Sequence, residues 1–301
     1  MVQLSIVLMG KEVFRNYDDF YEEFDSNVKK YPNLRSYPKR YRELCDCDYL
    51  FLSFPKSGRT WVRYFLARYI EAAFETMFSL EFTPHRSWDK RRAIIRTPTI
   101  NFSHNFFDFF QDYPVTPFIM DQQICWTKNL IFLVRDPLST LVSFYNQKVF
   151  REQVVKASLQ DFILSKQYGI ERHSKLVLAF FNLFNKSTAP KMLIQYEHLI
   201  ASPQRFMDLV KFLFGDVNLK AFEGAIENSK FNAMQRFELS VDAFSLTNGR
   251  MGSTKESPNR SMLKVREGKV KNYPEALSTD FIENILKLPY TSRLMSIMEN
   301  V

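Results

Sequence analysis

The chain has 301 residues, of which 46% are hydrophobic, 25% charged and 16% aromatic, with 30 Phe against only 8 Gly. That is globular composition: it excludes a disordered chain and argues against solenoids, collagen-like repeats and linker-rich assemblies. The 41 Lys and Arg against 33 Asp and Glu give a net charge of +8, which suits an anionic partner; the cations are spread along the chain without a basic tail, so nucleic acid is not the partner expected.

Met1–Phe14 holds a short apolar stretch, with no basic region before it and no small-residue cleavage site after it, so no secretory leader is expected. No window approaches about 18 consecutive apolar residues, so no membrane span is expected either. The segment Tyr17–Arg42 is polar and reads as a surface helix or arm. Cys45, Cys47 and Cys125 are three in number and fit no zinc spacing. A reducing compartment, hence a cytoplasmic location, is the simplest expectation.

Asp48–Phe54 is a short apolar run stopped by Pro55, and predicts a buried strand. Pro55–Thr60 is turn-like, and Trp61–Phe74 carries apolar residues at helical spacing. Ile100–Ser103 reads as a short strand ending at His104. Leu130–Val134 is the cleanest parallel-type strand; Arg135-Asp136-Pro137 ends it and Leu138–Phe150 reads as a helix. Lys191–Tyr196 is another strand, followed by a helical stretch Ser202–Phe214. Strands alternating with helices predict an α/β fold, three-layered and P-loop-like, with a central parallel sheet flanked by helices. Residues 240–262 read as a mobile loop over the site. The whole chain, 1–301, is expected to be one domain with its core at about 49–286.

A strand that turns directly into a helix leaves the helix's first N–H groups unpaired, and with the helix dipole they form an anion site. Here the turn also carries Lys56, Ser57, Arg59 and Thr60. The Walker A pattern is absent. On spacing alone the turn is either a phosphate loop or an ordinary turn with solvated cations.

The words are more specific than the spacing. Leu52-Ser53-Phe54-Pro55-Lys56-Ser57-Gly58-Arg59-Thr60-Trp61 resembles the 5′-phosphosulfate loop of the cytosolic, small-molecule sulfotransferases, with Arg59 where the family usually has Thr. The resemblance implies use of 3′-phosphoadenosine-5′-phosphosulfate (PAPS) as sulfuryl donor, with adenosine 3′,5′-bisphosphate (PAP) as product. It places Lys56, Ser57, Gly58, Arg59, Thr60 and Trp61 at the nucleotide. Leu130–Tyr145 resembles the family's 3′-phosphate strand and helix, which implies that Arg135 and Ser143 face that phosphate. An Arg fork suits a phosphate dianion. Leu263–Tyr273 resembles the segment that closes over the same phosphate: Arg266 and Gly268 align, while Glu267 stands where Lys is usual and Lys264 or Lys269 would supply the charge. In Tyr196-Glu197-His198-Leu199 and Asn228–Met234 the resemblance places Tyr196, Ser229 and Phe231 at the adenine, with Trp61 and Phe231 on the purine faces.

Of four histidines, His198 lies at a position the family leaves variable, and His85 and His173 sit among polar neighbours with no evident partner. His104 matches the family's catalytic base, but the Lys two residues before it is replaced by Phe102. Lys56 or an unidentified residue would then carry more of the transition-state charge. A His titrating near neutrality suits removal of the acceptor's proton, and Lys56 with the loop N–H groups suits the developing charge on the leaving phosphate. No ligand cluster has metal spacing, so no metal is expected. The acceptor is expected to be a small molecule with a hydroxyl or amine. Phe106, Phe107, Phe109 and Phe110 are candidates to line its pocket, although core packing is the commoner fate of a Phe. No nucleic-acid or membrane partner is expected, and a homodimer is left open. A P-loop kinase, with Asp136 as its only acidic metal candidate, and a non-catalytic nucleotide-binding protein are the competing functions.

Overall fold

The computed structural model describes residues 7–8, 11–12, 47–75, 97–103, 128–240, 273 and 277–300. β1 (Val7–Leu8) and β2 (Lys11–Glu12) form a short antiparallel pair. The central sheet holds β3 (Tyr49–Ser53), β4 (Ile100–Ser103), β5 (Asn129–Val134) and β6 (Lys191–Gln195). Its order is β4-β3-β5-β6 and every pairing is parallel.

The two middle strands are apolar on both faces, as a strand covered on both sides must be. Side chains alternate along a strand, and the core divides accordingly. Leu50, Leu52, Leu130, Phe132 and Val134 face one layer; Phe51, Ile131 and Leu133 face the other. The first layer contains α2 (Pro137–Asn146), α3 (Leu159–Leu164), α4 (Ile170–Lys186), α9 (Thr279–Leu286) and α10 (Pro289–Glu299). The second contains α1 (Arg59–Ala73), α5 (Tyr196–Ala201), α6 (Gln204–Phe214), α7 (Leu219–Asn228) and α8 (Phe231–Glu238). Phe51, Phe65, Phe132, Phe162, Phe180 and Phe206 are fully buried, each stabilising the fold by about 1.5–3 kcal/mol. Much of the chain's Phe therefore goes into two cores.

The predicted α/β architecture is the observed one, with local differences. The stretch read as one helix over 138–150 is α2 followed by a π-helical turn, Gln147–Arg151. The strand read to Tyr196 stops at Gln195, because Tyr196 already opens α5. The arm at 17–42 lies outside the described residues, as does nearly all of the 240–262 loop. Among the described residues no helix is long and apolar enough to cross a membrane.

The chain leaves β3 toward β4 and leaves β5 toward β6, in opposite directions across the sheet. The two central carboxyl ends therefore flank a switch point, where open parallel sheets form a ligand crevice.

Candidate functional site

Phe54 closes the apolar run of β3 and is gripped from below by Phe144, with ring centroids 5.9 Å apart, and by His173 at 4.3 Å. Above it the chain turns sharply. Lys56 has φ 74° and Gly58 φ 103°, both left-handed. Only glycine fits at 58, since a Cβ there would lie 2.4 Å from Tyr196 Cδ2. Helix α1 then starts at Arg59 with no side-chain cap and no acidic residue in its first turn. Its dipole and leading N–H groups are thus set up to receive an anion. Ser57 is buried; Lys56, Arg59, Thr60 and Trp61 are half-buried around the turn.

The turn after β5 stands beside it. Arg135 Nη1 donates to the Lys56 carbonyl at 3.0 Å, and the guanidinium lies over the Tyr196 ring, 4.3 Å from its centre. Arg135 Nε is buried without a partner among the described residues. Asp136 caps α2 by accepting from the Ser139 N–H at 2.7 Å, while its other oxygen accepts from the Tyr273 hydroxyl at 3.0 Å. Its own N–H donates to Glu197 Oε1 at 3.0 Å. Burial pushes the Glu197 carboxyl up, against the Asp136 N–H and the Arg135 charge, which pull it down. Burial and the Asp136 charge push the Tyr273 phenol up. Asp136 is therefore engaged in capping and anchoring. Among the described residues no group of three His, Cys, Asp or Glu is placed to hold a metal ion. Ser143 lies further along α2, half-buried.

The purine-end candidates do come together. Trp61 Nε1 donates to the Ser229 carbonyl at 2.8 Å. Ser229 is buried at the end of α7, and its hydroxyl donates to the Ile226 carbonyl at 3.2 Å. The Trp61 ring lies 5.0 Å from Phe231 and 5.7 Å from Tyr196. A ring stacked between Trp61 and Phe231 would need their planes about 7 Å apart, twice a van der Waals contact. In the structure the two rings touch, so a purine must either part them or lie on an outer face.

Sequence reasoning missed the π-helical turn. Burial raises the Glu152 carboxyl, but hydrogen bonds from Gln147 and Lys148, with the charges of Lys148 and Lys56, outweigh it and hold the group below its ordinary range. Glu152 is thus an electrostatic neighbour of Lys56 across nearly a hundred residues, with no local signal in the sequence. Arg59 is a second surprise: its Nη1 donates to the carbonyl of Phe102 on β4, at 3.0 Å.

His173 is a correction. It was expected among polar neighbours, yet it is 2% exposed beneath Phe54, and burial lowers its pKa to about 3. The charged residues beside it belong to the other face of α4. His104, Arg266, Gly268 and Glu267 lie outside the described residues.

The sulfotransferase domain family matches residues 46–289. No curated protein sequence matches the chain significantly. Among solved structures the chain resembles a mouse sulfotransferase, SULT7A1, complexed with PAP: 18% identity, TM-score 0.52, covering 83% of this chain and 88% of that one. It also resembles retinol dehydratase with retinol and PAP, at 13% identity and TM-score 0.56, covering 87% of this chain and 86% of that one. A complex of retinol dehydratase with androsterone and PAP gives 12% identity and TM-score 0.54, over 82% of this chain and 80% of that one. At these identities the likeness is one of fold.

Proposed function

This chain belongs to the sulfotransferase domain family, and from that membership we propose that it transfers a sulfuryl group from PAPS to a hydroxyl or amine of a small molecule. The observation that carries the reading is the bond from Arg135 to the Lys56 carbonyl. It holds two anion-receiving features side by side at the switch point: the uncapped start of α1 and an Arg fork. A nucleotide with separate 5′- and 3′-phosphates calls for such a pair. The PAP carried by the structural neighbours supports the same donor, and the retinol and androsterone bound by retinol dehydratase support a small acceptor.

In this mechanism Lys56 and the α1 N–H groups hold the 5′-phosphate and stabilise the charge that develops on it. Arg135 and Ser143 hold the 3′-phosphate, and Arg266 and Gly268 are assigned to the same phosphate. Tyr196, Ser229, Phe231 and Trp61 surround the adenine. His104 takes the acceptor's proton as its oxygen or nitrogen attacks sulfur in line. The cytoplasm, as a reducing compartment, is the proposed location.

Titration calorimetry with PAP tests the nucleotide site. Lys56→Ala and Arg135→Ala should each weaken binding by about 1.5–3 kcal/mol, the range for hydrogen bonds to charged groups; wild-type affinity in both variants would sink the assignment. A screen of acceptors with labelled PAPS tests transfer itself. On an acceptor found there, His104→Ala should keep PAP affinity and lose about 10²–10⁴ in turnover. The second reading, a nucleotide-binding protein without transfer, is favoured by uncharged Phe102 at the end of β4; PAP binding with no transfer to any acceptor would establish it.

A further inference from the structure

The turn after β3 carries a second cation, Arg59, whose side chain reaches away from the turn. It stands at the first position of α1, and its guanidinium crosses to β4, where Nη1 meets the Phe102 carbonyl at 3.0 Å. Phe102 brings no charge of its own. Its ring packs on Phe51, with centroids 4.7 Å apart, and lies 4.9 Å from the Arg63 guanidinium. Two departures from the family words, Arg at 59 and Phe at 102, therefore meet in space. The strand lacks a cation, and the loop delivers one to the same strand end.

Resting on the sulfuryl-transfer reading, we propose that Arg59 is a catalytic residue that supplies the second positive charge at the migrating sulfuryl group, the first being Lys56. On the proposed mechanism the sulfuryl group passes from the 5′-phosphate at the start of α1 to an acceptor whose base, His104, directly follows β4 in the chain. Arg59 spans that interval, with its Cα in the first turn of α1 and its fork on β4. In the transfer, a lone pair of the acceptor oxygen forms the new S–O bond. The S–O bond to the 5′-phosphate breaks, leaving its electron pair on the phosphate oxygen. The acceptor's proton passes to His104, and the products are PAP and a sulfate ester. Negative charge is spread over several oxygens at the midpoint, and a planar guanidinium can bond two of them at once where an ammonium acts as a point charge.

The test needs no identified acceptor, because water can take the sulfuryl group. Sulfate release from radiolabelled PAPS is measured at saturating PAPS, PAP affinity by titration calorimetry, and folding by thermal unfolding. Arg59→Thr should slow saturated release by about 10²-fold, the usual loss of one transition-state donor. Adding Phe102→Lys to it should restore most of the rate, since the charge then returns from β4. An unchanged saturated rate in Arg59→Thr overturns the proposal, and so does weaker PAP binding without a slower rate, which makes Arg59 a phosphate ligand only. A loss repaired by neither Phe102→Lys nor Arg59→Lys also overturns it, because the side chain then serves to hold β4 in place. If the wild-type protein binds no PAP, the sulfuryl-transfer reading itself fails; if it binds PAP but releases no sulfate above the blank, the proposal for Arg59 is overturned while that reading stands on the acceptor screen.

Discussion

The turns after β3 and β5 are neighbours with the same topology, strand to turn to helix, and they are finished in opposite ways. After β5, Asp136 closes the start of α2: it caps the helix, Pro137 takes the first helical position, and Tyr273 secures the carboxylate. After β3 the start of α1 has no such closure, and the chain reaches it through two left-handed residues, Lys56 and Gly58. A carboxylate cap at α1 would occupy the place an anion needs and repel it. On the proposed reading, an anion site on this fold is made by omitting a stabilising cap and accepting backbone strain. The neighbouring helix, its start closed by Asp136, follows directly on Arg135 and carries Ser143.

The largest way to break this contrast is Gly58→Ala. A left-handed alanine costs about 1–3 kcal/mol. Its Cβ also runs into the Tyr196 ring, which carries Arg135 on it. Thermal unfolding should show the loss, and PAP binding should vanish; a variant as stable as wild type would mean that the turn relaxes freely. Next comes Asp136→Ala, which opens the closed turn. Loss of the cap costs up to about 2 kcal/mol, and Tyr273→Phe, removing one hydrogen bond, about 1 kcal/mol. Denaturant titration should place the two in that order, and equal effects would mean that the cap contributes nothing beyond its Tyr273 bond.

The last effect appears only as pH falls and touches the underside of the open turn. His173 supports Phe54, and burial holds its pKa at about 3 against an ordinary 6.5. As pH falls below 6.5 the unfolded chain takes the proton first, so stability is complete above that value and declines toward pH 3. His173→Leu should flatten that part of the melting-temperature profile. A slope identical to wild type would assign it to other groups.

Much of this was legible in the sequence, for definite reasons. β5 was plain because a strand covered on both faces is a continuous apolar run. The start of α1 lies two residues before the expected Trp61, at Arg59, because its first two residues, Arg59 and Thr60, are polar and break the apolar period. The residues that the resemblance named do meet: Arg135 at the Lys56 carbonyl, and Trp61 at Ser229 and Phe231. His173 was misread because Glu171, Arg172 and Lys175 mask an inward face that only the helical period of His173, Ser174 and Val177 reveals. The π-helical turn and the Arg59–Phe102 contact were invisible: one is a change of winding without a change of composition, the other a meeting of distant segments.

The bond from Arg135 to the Lys56 carbonyl has a thermodynamic consequence. One turn's backbone is held by the other turn's side chain, so a shift in one turn is felt by the other. If both ends bind phosphate as proposed, filling either end should make the other better formed, and the coupling must act equally in both directions. Shortening Lys56 and Arg135 together should therefore cost a different amount from the sum of the separate changes. On the proposed reading, the two halves of the nucleotide site are then linked within one chain through one hydrogen bond.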